Sequence, residues 1–254
     1  NMRLFKKYND VYYNREDYFG LVKQEIRKLM AKQVEGIIYV TAHERIMHCI
    51  PDNLPIPAVM AYGYTQSGKV PSVVVDDEHG AYEAVQYLIE RGHKQIGVIT
   101  GKNDSIHMQA RLVGYQKALR DNGLMYNPEF IYYGDWNREA GYNGTEKLLD
   151  RGVTAIFCMN DIMAGGVYDR ADELGLRIPE DISVVGYDNR ELSSYYYKPP
   201  LTTITLPLHD IGYRAAEVMI DLLDKKIMPQ KEELVYLMPC HRLVRKSVKE
   251  QIRQ

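Results

Sequence analysis

Glu173-Leu174-Gly175-Leu176-Arg177-Ile178-Pro179-Glu180-Asp181-Ile182-Ser183-Val184-Val185-Gly186-Tyr187-Asp188-Asn189 decides the fold. It reads as a helix end, a turn, a buried strand and a polar mouth. Gly175 suits the position just past a helix, where a positive φ is needed. Pro179 bars the helix from resuming, because its ring fills the place of the N–H. Ser183-Val184-Val185 make a short run of the kind a parallel sheet buries on both faces. Gly186-Tyr187-Asp188 follow at the strand's carboxyl end, the edge where open α/β sheets bind ligands. A carboxylate there suits a ligand hydroxyl, and equally caps the next turn, a common role for Asp.

On either side of this run, strand-like and helix-like segments alternate. That alternation predicts an α/β fold of parallel sheets with crossover helices. Gly36-Ile37-Ile38-Tyr39-Val40, Ala58-Val59-Met60-Ala61-Tyr62, Ser72-Val73-Val74-Val75 and Ile96-Gly97-Val98-Ile99 read as strands. So do Phe130-Ile131-Tyr132-Tyr133 and Ala155-Ile156-Phe157-Cys158. Ala81, Val85, Leu88 and Ile89 recur at helical spacing, as do Leu208, Ile211, Ala215, Met219 and Leu222 after Pro207.

The 254 residues suffice for two lobes with separate cores. Hydrophobic content of 45% and charged content of 26% are those of an ordinary globular protein. A net charge of -2 argues against a nucleic-acid grip in this chain, which would be basic. Cys49, Cys158 and Cys240 are spaced for neither a disulfide framework nor a zinc site. His79, His93, His107 and His241 show no metal spacing, and no cofactor motif is present; His93 closes a helix, where a cation is favoured. The chain shows no signal peptide and no apolar run long enough to span a bilayer, so the expected compartment is the cytoplasm, with no membrane partner.

Several polar residues stand where strands end. Arg111, early in a helix expected over residues 109–122, is either a surface ion-pair former or a forked donor for two ligand oxygens. Asn160 and Asp161 follow the strand ending near Met159. Either is a favoured helix N-cap, and both roles hold if Asp161 caps the next helix while the Asn160 amide, both donor and acceptor, faces a ligand. Trp136, the single tryptophan, offers a flat face for a sugar ring or closes a lobe edge. Tyr195-Tyr196-Tyr197 read as packing. Gly63-Tyr64-Thr65-Gln66-Ser67-Gly68-Lys69 nearly spells a phosphate-binding loop, but Val70 stands where a hydroxyl must reach magnesium, and a strand follows instead of a helix. Thr65 and Gln66 remain as polar groups at a strand end. Asp76, Asp77 and Glu78 start a helix, where acids suit the dipole; an enzyme would use them as carboxylates.

The run 173–189 closely resembles the effector-binding domain of the lactose/galactose-repressor (LacI/GalR) family of transcription regulators. Arg91-Gly92-His93-Lys94-Gln95-Ile96-Gly97-Val98-Ile99-Thr100-Gly101, Arg111-Leu112-Val113-Gly114-Tyr115, Asn160-Asp161 with Ala164-Gly165, and Pro199-Pro200-Leu201-Thr202-Thr203-Ile204 agree in type and order. The likeness runs over residues 14–248. It implies a two-lobed, periplasmic-binding-protein-like fold of two open sheets joined by crossings near residues 101–103, 205–207 and 228–231. The lobes would comprise residues 1–102 with 206–230 and 103–205 with 231–254. It further implies that Arg111, Asp188, Asn160, Trp136, Thr65 and Gln66 line a ligand cleft, with a saccharide as the expected effector and a purine or phosphosugar as the other possibility. A homodimer would control operator DNA through a helix-turn-helix head outside this chain, without catalysis. The family's first strand-helix unit, ahead of Asp10-Val11-Tyr12-Tyr13-Asn14, has no counterpart in Met2-Arg3-Leu4-Phe5-Lys6-Lys7. The alternative is a periplasmic-type sugar-binding protein of a transporter.

Overall fold

The computed structural model describes residues 16–41, 46–47, 50–51, 54–190, 195–226 and 234–250. In chain order its elements are α1 (Glu16–Ala31), β1 (Ile37–Val40), β2 (Ile46–Met47), β3 (Ala58–Ala61), β4 (Tyr64–Thr65), β5 (Ser72–Val75), α2 (Asp77–Glu90) and β6 (Ile96–Thr100). There follow α3 (Ile106–Asp121), β7 (Ile131–Tyr133), α4 (Arg138–Leu149), β8 (Ala155–Cys158), α5 (Asp161–Glu173), β9 (Ser183–Asp188), β10 (Thr202–Thr205), α6 (Leu208–Leu223), β11 (Val235–Met238) and β12 (His241–Leu243). The chain divides into two compact units, Asn1–Val75 with Leu208–Met238, and Asp76–Pro207 with Pro239–Gln254.

In the first unit β1, β3, β5 and β11 form one parallel sheet in that order. The inner strand β5 is buried throughout, whereas the edge strands β1 and β11 alternate in exposure. Val22 and Ile26 of α1, four residues apart and so on one helix face, join Ile37, Met47, Met60 and Val70 in the core. Helix α6 packs across β1, β3 and β5. Its buried Ile211, Ala215, Val218, Met219 and Leu222 trace one stripe of the helix.

The second unit holds a six-stranded sheet in the order β12-β10-β9-β8-β6-β7, parallel except for β12. Strands β6 and β8 are wholly buried, as a central parallel position demands. Helices α2 and α3 pack on each other, and so do α4 and α5. Gly175 has the expected positive φ, +68°, one residue beyond the C-cap of α5. The segment after β12 fastens the other end of the sheet. The Ser247 hydroxyl donates to the Val184 carbonyl at 2.6 Å and accepts from the Thr202 N–H at 2.8 Å. The Lys249 N–H donates to the Ser183 hydroxyl at 3.2 Å.

Several expectations change. Residues 76–102 belong with the second unit, because β6 hydrogen-bonds to β7 and β8 and α2 packs on α3. The chain passes between units after Val75, Pro207 and Met238, and no passage falls at 101–103. Residues 228–231, 2–7 and 10–14 lie outside the described residues. Helix α3 begins at Ile106, not at 109, because the Ser105 side chain accepts from the Met108 N–H and caps it there. His93 is not a cationic helix terminator. It is fully buried, its Nδ1 lies 2.9 Å from the Thr154 hydroxyl, and burial pulls its pKa down to about 4.

Candidate functional site

The carboxyl ends of β6, β8 and β9, hydrogen-bonded neighbours in the second unit, bring Thr100, Cys158 and Asp188 to one edge of the sheet. Helices α2 and α3 aim side chains at this edge. Arg111 occupies the second turn of α3 and is 3% exposed. Its Nε donates to Asp77 Oδ1 at 2.7 Å and its NH1 donates to the Met159 carbonyl. NH1 also lies 3.7 Å from Asp188 Oδ1. The guanidinium carbon stands 3.6 Å from the Tyr187 ring centroid and 5.6 Å from that of Trp136, a cation within reach of two aromatic rings. Burial works against the charged guanidinium, but Asp77, Tyr187 and Asp188 outweigh it and keep Arg111 protonated.

Asp77 opens α2 but does not serve as its cap. The cap is Asp76, whose carboxylate accepts from the His79 N–H. Asp77 points inward, 4% exposed, and its second oxygen lies 2.5 Å from His107 Nδ1. Burial alone would raise its pKa; Arg111 and His107 overcome that and hold the carboxyl below the usual range.

Asp188 has φ of +101°, followed by Asn189 at +51°, a backbone that L residues avoid. The surroundings hold this turn. Asp161 Oδ2 accepts from the Arg190 N–H at 2.7 Å, and Asp161 Oδ1 accepts from the Thr203 hydroxyl at 2.6 Å. Arg245 donates to the Asn189 side-chain oxygen at 2.8 Å. The Asp188 carboxyl keeps 21% of its surface exposed. Burial pushes its pKa up to about 6, against the pull of Arg111 and Arg190. Asp161, with no exposed surface, is pushed by burial to about 7 despite the Thr203 bond.

Asn160, rather than Asp161, caps α5. Its Oδ1 accepts from the Met163 N–H at 2.7 Å and its Nδ2 donates to the Trp136 carbonyl at 3.0 Å. The side chain expected to face a ligand thus ties α5 to the β7–α4 connection. Trp136 sits in that connection with φ of +61°. Its indole lies over Gly101, where a Cβ would overlap the ring.

The structure therefore gathers Arg111, Asp188, Asn160 and Trp136. Thr65 and Gln66 belong to the first unit. Thr65 is buried, with its hydroxyl 3.4 Å from that of Ser67, and Gln66 is exposed, its N–H donating to the Met47 carbonyl. Tyr197 packs as expected, stacked on Tyr168 at 4.9 Å, whereas Tyr195 and Tyr196 are exposed. Asp77, His107 and Tyr187 were not among the expected site residues. One signal for His107 was available: it stands four residues before Arg111, on the same face of α3. Among the described residues no group of His, Cys, Asp and Glu is arranged to hold a metal, and no helix is long and apolar enough to cross a membrane. A buried cation, a partly exposed carboxylate and an indole together suit a small ring that carries hydroxyls.

Residues 85–248 match the family model described as periplasmic binding protein-like domain. The HTH-type transcriptional repressor PurR of Aliivibrio salmonicida is 34% identical over 239 residues, 92% of this chain and 71% of that protein. A LacI-family regulator structure from Rhizobium etli superposes with a TM-score of 0.77 at 30% identity, covering 89% of this chain and 82% of that one. A LacI-family regulator from Enterococcus faecium, solved with bound ribose, gives a TM-score of 0.69 at 29% identity over 88% of this chain and 82% of its own.

Proposed function

The chain belongs to the periplasmic-binding-protein-like domain of LacI-family transcription regulators and spans their effector-binding region, and on that premise we propose that it binds a saccharide at the carboxyl edge of its six-stranded sheet. The observation that carries this reading is the 3.7 Å approach of Arg111 to Asp188 beside the Trp136 ring. A sugar ring lies on the indole, accepts from the guanidinium and donates to the carboxylate. The ribose held by the Enterococcus faecium regulator supports a ligand of this class.

In the intact regulator the ligand acts by linkage. It shifts DNA affinity only by its unequal affinity for two states of the protein. A helix-turn-helix head outside this chain reads the operator. A homodimer of these cores pairs two heads for two half-sites. The regulator works in the cytoplasm, where the operator is.

The test is a titration of the chain with a saccharide panel, read by Trp136 emission and by thermal midpoint. A sugar that shifts both in the wild type, and neither in Arg111→Ala, is the expected result. A sugar that binds Arg111→Ala and Asp188→Ala as tightly as the wild type overturns the site. Sedimentation of the chain as a monomer at all concentrations overturns the homodimer.

A further inference from the structure

Resting on the reading of this site as the effector site, we propose that it selects an effector that is uncharged where it meets Arg111, and that it rejects the phosphorylated or carboxylated counterpart. A guanidinium carries five N–H donors on three nitrogens. Strong recognition of an oxyanion by arginine uses two parallel N–H groups, from Nε with one terminal nitrogen or from both terminal nitrogens. In this site Nε is committed to Asp77 at 2.7 Å, and NH1 to the Met159 carbonyl with Asp188 at 3.7 Å. Asp77 thus closes the fork that starts at Nε, and Met159 takes one of the two N–H groups of NH1, which leaves a ligand the two N–H groups of NH2 and the second of NH1. An oxyanion held by two points has to bridge NH1 and NH2, which sets it against the Asp188 carboxylate 3.7 Å from NH1, whereas a single hydroxyl or carbonyl oxygen can sit on NH2 alone.

The charges agree with the geometry. Arg111 faces two carboxylates, Asp77 and Asp188, both close enough to act on it. His107 touches the Asp77 carboxylate, and Arg190 faces Asp188 from an exposed position. Lys102, beside Gly101, is paired with Asp135 at 3.2 Å. An anion bridging NH1 and NH2 therefore meets the carboxylate of Asp188, while the guanidinium's own charge is already answered by Asp77. Like charges brought together in such a place cost enough to reverse a preference. A neutral polyol has the opposite fit, because its hydroxyls donate to Asp188.

The experiment uses inorganic phosphate and matched pairs: ribose with ribose 5-phosphate, glucose with glucose 6-phosphate, and glucose with glucuronate. Trp136 emission and thermal midpoint are read at fixed ionic strength, with chloride as the control anion. Phosphate is expected to cause no saturable change in the wild type. In any pair that binds, the anionic member is expected to bind about tenfold or more weakly, on the order of 1.4 kcal/mol. Asp77→Asn keeps the side-chain shape but releases the charge on Arg111, and is expected to gain saturable phosphate binding. Phosphate binding by the wild type that disappears in Arg111→Ala overturns the proposal, as does tighter binding of a phosphorylated or carboxylated member. A folded Asp77→Asn that stays blind to phosphate overturns the role given to Asp77. If that variant does not fold, the wild-type phosphate titration decides. A panel in which no sugar binds counts against the saccharide reading alone, since the phosphate arm needs no sugar.

Discussion

Asp161 and Asp188 are carboxyls whose pKa values rise on folding, to about 7 and about 6, chiefly through burial. The folded chain therefore binds their protons more tightly than the unfolded chain. Their contribution to stability is full below the unfolded value near 3.8 and is lost as pH rises through 6 and 7. His93 has the opposite sign, since its pKa falls to about 4 and the stability it contributes is lost on acidification. The two effects overlap, so the test compares variants. Asp161→Asn is expected to lose the increment in thermal midpoint that this proton gives the wild type as pH drops from about 8 to about 5. An unchanged pH profile in the variant would count against a proton on Asp161. Effector affinity has its own dependence. A ligand that donates to the Asp188 carboxylate favours the ionised form, so its affinity should climb as pH rises through about 6 and level off above. Calorimetric titrations across that range check this. Asp77→Ala is expected to cost about 3–5 kcal/mol in denaturant unfolding, because it strands the Arg111 charge in a buried place. At this scale Asp188 was legible in the sequence as a carboxylate at a strand end and Arg111 as an arginine early in a helix, and it was the family resemblance that paired them. Asp77 was not. Three acids in a row announce a helix start, but only the packed helix shows that the middle one turns inward.

Elements place these residues more than their own chemistry does. The strand β6 delivers Gly101, and the connection after β7 delivers Trp136 onto it. Gly101→Ala should push the indole aside, so effector affinity should fall at least about tenfold, or roughly 1.4 kcal/mol. The shift in Trp136 emission should show in the ligand-free protein too. Wild-type emission and affinity in that variant would mean the ring does not rest there. The caps of α3 and α5 explain two misreadings. Ser105 starts α3 early by offering an acceptor to the Met108 N–H. Asn160 uses both ends of its amide, so an Asn beside an Asp did not reveal which of the two would cap. Periodicity located most strands and helices, since burial imposes it on the sequence. It missed β2, β4, β10, β11 and β12, all of four residues or fewer, and β12 is a short edge strand with alternating exposure and little apolar content.

Across the whole molecule, the α/β alternation was readable from end to end, but the unit boundary was not. Which strands pair is decided by contacts far apart in sequence. The apolar residues of β6 would suit either sheet, and its pairing with β7 and β8 assigns it to the second. Ligand binding is a property of this scale as well. An effector at 100 times its dissociation constant should stabilise the fold by about 2.7 kcal/mol, seen as a rise in the thermal midpoint. Absence of that rise for a sugar shown to bind by Trp136 emission would mean that it also binds the unfolded chain. The path of the chain carries a last consequence. The strand β12 and the Ser247 bonds that finish the six-stranded sheet come after the chain has returned to build α6 and β11 of the first unit. On the ribosome, domains fold as their residues emerge. The sheet that bears Asp188 is then the later of the two to close, and a nascent chain halted before residue 239 holds all four gathered site residues on a sheet still missing its final edge.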